Sequence, residues 1–177
     1  GFKTLRTHDP AEVMRRIWAA PTFEVHGLVG GYHGPGVKTV VPGHGELKVS
    51  MRLVPNQTPE KAFALLKKHV ATLNPEVKVE REGMLHPFRG VFEGPYVDAV
   101  KRAVKAGFGK EPAFIREGGS IGAVVTMQKT WKVPILFMGL SLPEHGYHAP
   151  NEYFDWGQAS GGMKAFVHYF AELAAKR

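Results

Sequence analysis

Between residues 143 and 152 the chain reads PEHGYHAPNE, two histidines, two carboxylates and an asparagine within ten positions. Where sulfur is lacking, imidazole and carboxylate are the side chains that hold zinc and similar divalent ions, at roughly 2 Å, and this chain contains no cysteine. His145 and His148 are three apart, a spacing that shares one face of a helix, but Gly146 and Pro150 argue for a turn. Two readings of His148 stand at this point: a metal ligand, or an ordinary polar residue of a surface loop. The chain has no His-x-Asp, no adjacent Glu-Glu pair and no His-Glu-x-x-His. A complete metal site therefore cannot be drawn from this sequence alone.

A second stretch with chemical capacity is REGGSIG, residues 116–122. Placed between a strand and a helix, its glycines and Ser120 would turn backbone N–H groups and a hydroxyl toward the helix N-terminus, where an anion is favoured. The plain alternative is a strand-to-helix turn.

The elements that must carry these loops follow from punctuation and period. Asp9 before Pro10 reads as an N-cap with proline in the first turn, opening a helix over 10–20 that Pro21 stops. Residues 22–29 read as a strand, and GGYHGPG at 30–36 as a loop. Residues 37–42 read as another strand. In 46–54, Leu47, Val49, Met51 and Leu53 alternate with Glu46, Lys48, Ser50 and Arg52, the pattern of a strand with one buried face. Thr58, Pro59 and Glu60 open a second helix with Phe63, Leu66, Val70 and Leu73 along one side, and 77–82 returns as a strand. The expectation for this half is an antiparallel sheet with helices on one face.

Beyond a Gly- and Pro-rich connection the pattern changes, and we place a boundary near residue 88. Pro95 starts a helix with Val97, Val100, Val104 and Phe108 in a stripe, closed by Gly109. Strands are expected at 113–117 and 134–140, and helices over 121–131 and near the C-terminus. In the last helix Met163, Phe166, Val167, Phe170 and Leu173 face one way. Alternating strands and helices argue for α/β construction. Two strands are too few to cover three helices, and 134–140 is apolar on both faces, as strands inside a covered sheet are. Either this half leans on the first, or it is part of a larger domain whose other half is absent from this chain.

Composition narrows the function classes. The 177 residues are 44% hydrophobic and 22% charged, which is globular composition. No apolar run approaches the roughly 20 residues that span a bilayer, so no membrane partner is expected. The formal net charge of +7 comes from 23 basic against 16 acidic residues, scattered rather than gathered into a tract interleaved with aromatics. No nucleic-acid partner is expected, and a basic nucleic-acid binder stands only as the less favoured alternative.

Four stretches in order, GLVGGYHGPGVKTVVP at 27–42, RLVPNQTPEK at 52–61, REGGSIG at 116–122 and HAPNE at 148–152, resemble the C-terminal half of the M20 metallopeptidases. This family comprises carnosinase-like dipeptidases, carboxypeptidases and deacylases. The resemblance implies an α/β fold overall. Residues 1–88 would be most of an α+β lid that mediates homodimerisation, and 89–177 the C-terminal part of an α/β/α zinc-peptidase catalytic domain. Most ligands of two zinc ions, and a glutamate general base, would be supplied by an N-terminal catalytic half, the partner that this chain would need. The surplus positive charge is then balanced by that carboxylate-rich half.

For single residues the resemblance implies that His148 is the last metal ligand, with Asn151 and Glu152 orienting its loop. Arg52 would hold the substrate carboxylate, which a guanidinium grips through two parallel hydrogen bonds. Thr39 would reach the active site of the other subunit, and Gly119 and Ser120 would contact substrate. The implied reaction is hydrolysis of a peptide or acyl-amino-acid amide bond by metal-activated water. No catalytic residue is assigned within the chain, and the chain alone is expected to be inactive. A dimerisation or binding module without catalysis is the alternative, and a cytoplasmic location is the expectation.

Overall fold

A computed structural model describes residues 3–117 and 121–175. The order of elements is α1 (Pro10–Trp18), β1 (Thr22–Gly30), β2 (Gly45–Arg52), α2 (Pro59–Leu73), α3 (Pro95–Phe108), α4 (Gly122–Trp131), a 3₁₀ turn (Pro143–His145) and α5 (Trp156–Ala174). The result is a set of helices with a small antiparallel sheet. The chain gathers into two compact units, one of residues 1–88 with 116–125 and one of 89–115 with 126–177.

In the first unit the helix starts follow their caps. Asp9 accepts from the Ala11 N–H at 3.0 Å and Thr58 from the Lys61 N–H at 3.3 Å, each with proline next in the chain. Those carboxylate and hydroxyl oxygens satisfy N–H groups that a helix N-terminus leaves without partners. Strands β1 and β2 pair antiparallel from Thr22 opposite Arg52 to Gly30 opposite Gly45. A register shift between Val25 and Gly27 leaves His26 as the extra residue of a bulge. Gly27 belongs there because a Cβ would stand 3.0 Å from the Lys48 Cβ.

The expected buried face of β2 is only partly buried: Val49 and Met51 are intermediate, whereas Leu47 is 56% exposed. Opposite them, Phe23 and Val25 are also largely exposed. A two-stranded ribbon has a second face but no second layer of its own to lay on it. The strands expected at 37–42, 77–82, 113–117 and 134–140 carry no ladder among the described residues. Alternation and apolar runs report which side of a chain is oily; a strand additionally needs a neighbour to accept its hydrogen bonds.

The second unit holds most of the buried apolar residues described, Val124 of the first unit being an exception. Val97, Ala99, Val100 and Ala103 of α3 are buried, as are Gly161, Gly162 and Ala165 of α5, and the two helices pack on each other. Helix α3 runs from Pro95 to Phe108 as its punctuation predicts, with Gly109 beyond it left-handed at φ 70°. Helix α5 divides into two faces. Its large apolar stripe is turned outward, with Val167 70% and Phe170 63% exposed, and its small residues face α3. Closeness decides this. A Cβ on Gly107 would meet the Gly161 carbonyl oxygen and stand 2.9 Å from the Ala165 Cβ, so only small side chains allow the two backbones this near. An exposed Arg102–Glu172 pair, with guanidinium nitrogens 2.9 and 2.6 Å from the carboxylate, links the same helices. Leu140, in the segment expected as a strand, packs where Gly162 leaves room.

Candidate metal-ligand loop

The chain from Leu142 to Trp156 is a loop tied at its base. After the 3₁₀ turn, Gly146, His148 and Asn151 all take left-handed backbone, with φ of 63°, 64° and 62°. For glycine this is free; asparagine and histidine accept it more readily than other residues but at a cost of order 1–3 kcal/mol, so it persists where the surroundings enforce it. Three backbone bonds do so: Ala149 N–H to the Gly146 carbonyl at 2.9 Å, Glu152 N–H to Ala149 at 3.3 Å, and Tyr153 N–H to His145 at 3.1 Å.

His148 sits at the outer bend of this loop and is exposed. Its backbone N–H donates to the Glu152 carboxylate at 3.3 Å, and its ring meets Tyr147 edge-on, with centroids 6.1 Å apart. Its ring nitrogens take no hydrogen bond from the described residues. The loop is thus held through its backbone and leaves the imidazole available.

His145 is the opposite case. It is 2% exposed, the buried polar side chain among the described residues. Its Nδ1 accepts the Leu142 N–H at 3.1 Å, and its Nε2 lies 2.8 Å from Asp155 Oδ2. A backbone N–H can only donate, so Nδ1 is the bare nitrogen and Nε2–H donates to the carboxylate. The Tyr153 and Phe154 rings pack on it, with centroids at 5.0 and 5.7 Å. The other Asp155 oxygen accepts the Gln158 N–H at 2.9 Å and caps α5. That backbone bond first, and the His145 ring next, hold the Asp155 carboxyl below its ordinary range against the opposing effect of burial. The sequence reading weighed His145 only for its spacing from His148 and passed over Asp155. The one available signal was Asp155 immediately before a helix, an N-cap residue type.

The remaining implied residues lie elsewhere. Arg52 is the exposed last residue of β2, with its N–H 3.4 Å from the Thr22 hydroxyl. Thr39 is exposed in the segment after the glycine-rich loop. Both belong to the first unit and His148 to the second. Gly119 and Ser120 lie outside the described residues. No three His, Asp or Glu side chains converge as a metal site among the described residues. The donor chemistry of the loop fits one coordination position, a single imidazole, and no more. No described helix is long and apolar enough to cross a membrane.

Residues 3–78 match the peptidase dimerisation domain of the M20 family. The Cys-Gly metallodipeptidase dug1 of Schizosaccharomyces pombe is 34% identical over 174 residues, 94% of this chain and 36% of that protein. Among solved structures, an M20 family metallo-carboxypeptidase from Sulfolobus solfataricus is similar at a TM-score of 0.85 and 29% identity, covering 96% of this chain and 39% of the other. Human carnosine dipeptidase 1 is similar at a TM-score of 0.81 and 28% identity, covering 98% and 38%. The chain spans little more than a third of the length of the relatives it matches.

Proposed function

We propose, for a chain that belongs to the M20 peptidase family, that it forms the C-terminal portion of a zinc-dependent peptidase: a dimerisation lid over 1–88 and the last part of a catalytic domain over 89–177. Similarity to metallodipeptidases along nearly the whole chain supports the class. The observation that carries the reading is His148, an imidazole left open to solvent by a loop held through its backbone.

Zinc, when bound, supplies a Lewis acid and an activated water for hydrolysis of an amide bond. In this reading His148 offers one neutral ring nitrogen as a ligand, and Glu152 steadies the loop through the His148 N–H. Arg52 receives the carboxylate of a dipeptide or acyl-amino-acid substrate in a two-bond grip. Thr39 reaches toward the other subunit of a homodimer, and the donors of Gly119 and Ser120 orient substrate. The general base and the other ligands come from protein outside these residues.

The purified 177-residue chain is therefore expected to hydrolyse neither Cys-Gly nor β-Ala-His with zinc added, whereas the longer protein containing it cleaves a dipeptide. Turnover by the chain alone at a rate comparable to the longer protein would contradict the assignment. The match of 3–78 to a dimerisation domain favours one second reading, a dimerisation module without catalysis. A longer protein that dimerises yet cleaves no dipeptide would support it.

A further inference from the structure

His148 occupies a left-handed backbone position in a loop whose two ends meet at His145. The His145 carbonyl accepts the Tyr153 N–H, closing residues 146–152 into a ring of chain. Its imidazole then ties that ring to the elements on either side, to the Leu142 backbone before it and to Asp155 at the head of α5 after it. Every polar atom of His145 described here is thus spent on holding the loop, and none faces outward, since the side chain is 2% exposed. Asp155 is shared between two tasks: one oxygen caps the 19-residue α5 and the other accepts the hydrogen bond from His145 Nε2–H.

We propose that His145 and Asp155 are positioning residues for His148, locking the loop so that the His148 ring is presented in one orientation. The inference rests on the reading of His148 as a metal ligand. Its physical basis is a fixed pattern of donors. Leu142 N–H occupies Nδ1, so the imidazole must hold its proton on Nε2 and must find an acceptor there. The Asp155 carboxylate, accepting only, satisfies that demand, while an amide at the same place would set a second donor against the ring.

Asp155→Asn separates this role from folding, because asparagine still caps a helix as well as aspartate does. With its carbonyl oxygen on the Gln158 N–H, its NH₂ group faces the His145 Nε2–H. Shifting the ring proton to Nδ1 relieves that clash only by creating another with the Leu142 N–H. His145→Gln is the companion variant: its amide offers both a donor and an acceptor, but on a flexible chain in place of a rigid ring whose two nitrogens are fixed relative to each other.

The experiment uses the longer protein with Zn²⁺ as the probe. The Zn²⁺ dissociation constant is read by competition with a chromophoric chelator, and the histidine tautomers by ¹H–¹⁵N correlation of ring nitrogens. His148→Ala serves as the reference and is expected to weaken Zn²⁺ about 100-fold or more. Asp155→Asn is expected to weaken Zn²⁺ about tenfold, the lower range for groups that orient ligands, with α5 amide protection retained and the His145 Nε2–H signature lost. His145→Gln is expected to weaken it by a similar factor. If both variants bind Zn²⁺ within twofold of the parent while His148→Ala is strongly weakened, His145 and Asp155 are structural only and the inference falls alone. If His148→Ala itself binds normally, the ligand reading falls and the inference with it.

Discussion

The α3–α5 pair and the β1–β2 ribbon are both built from residues with clear periodicity, yet one is a core and the other is not. In the pair, Val97, Ala99, Ala103 and Ala165 are fully buried because small residues let two helices approach and exclude water. In the ribbon, Phe23, Val25, Leu28 and Leu47 each remain more than half exposed. Periodicity chooses a face; burial needs a surface of matching shape to lay upon it. Helix α5 shows both outcomes on one element, with glycines and alanine inside and Phe166, Val167 and Phe170 outside.

The comparison breaks most readily at the helix crossing. Gly107→Ala would press a methyl group onto the Gly161 carbonyl and the Ala165 side chain. It is expected to lower stability by about 1–3 kcal/mol, as overpacking does, read by denaturant unfolding and by faster exchange of α3 and α5 amides. An unchanged midpoint would mean that the crossing is looser than its geometry. In the ribbon, Leu47→Thr is expected to shift stability by no more than about 0.5 kcal/mol in the chain alone, since the side chain is already 56% exposed. A cost equal to that of the glycine variant would show that the ribbon face is covered in solution.

The smallest effect lies outside both regions, on α1. Hydrogen bonds from Arg15 and then Arg16 hold the exposed Glu12 carboxyl down to about 2, from an ordinary 4.5. A depressed carboxyl contributes stability that is fully present above the unfolded value and lost as pH falls toward the folded one. The Glu12 contribution should therefore be complete above about pH 4.5 and fade between there and about pH 2. A side-chain NMR titration checks it. A midpoint near 4.5 would mean that solvent dissolves the fork, as it does many exposed ion pairs.

Helix positions were the most legible part of the molecule, because their causes are local. Asp9 and Thr58 cap, Pro10, Pro59 and Pro95 enter first turns, and Gly109 closes α3 with a left-handed turn. The ribbon was legible through the alternation of β2, whereas four further expected strands acquire no ladder among the described residues. A strand is a relation between distant segments, and the spacing within 134–140 carries no information about its neighbour.

The candidate site divides in the same way. Its residue types and order, with His148 in HAPNE, are properties of the sequence and suffice to relate the chain to the M20 peptidases. Which of two histidines three residues apart would be open and which buried was decided only by tertiary structure. Identical imidazoles become an exposed ring and a buried lock according to whether a backbone N–H and a carboxylate stand within 3.1 Å. Such partners come together only when the loop closes on the head of α5, and chain closure in space is not written in the identity of either histidine.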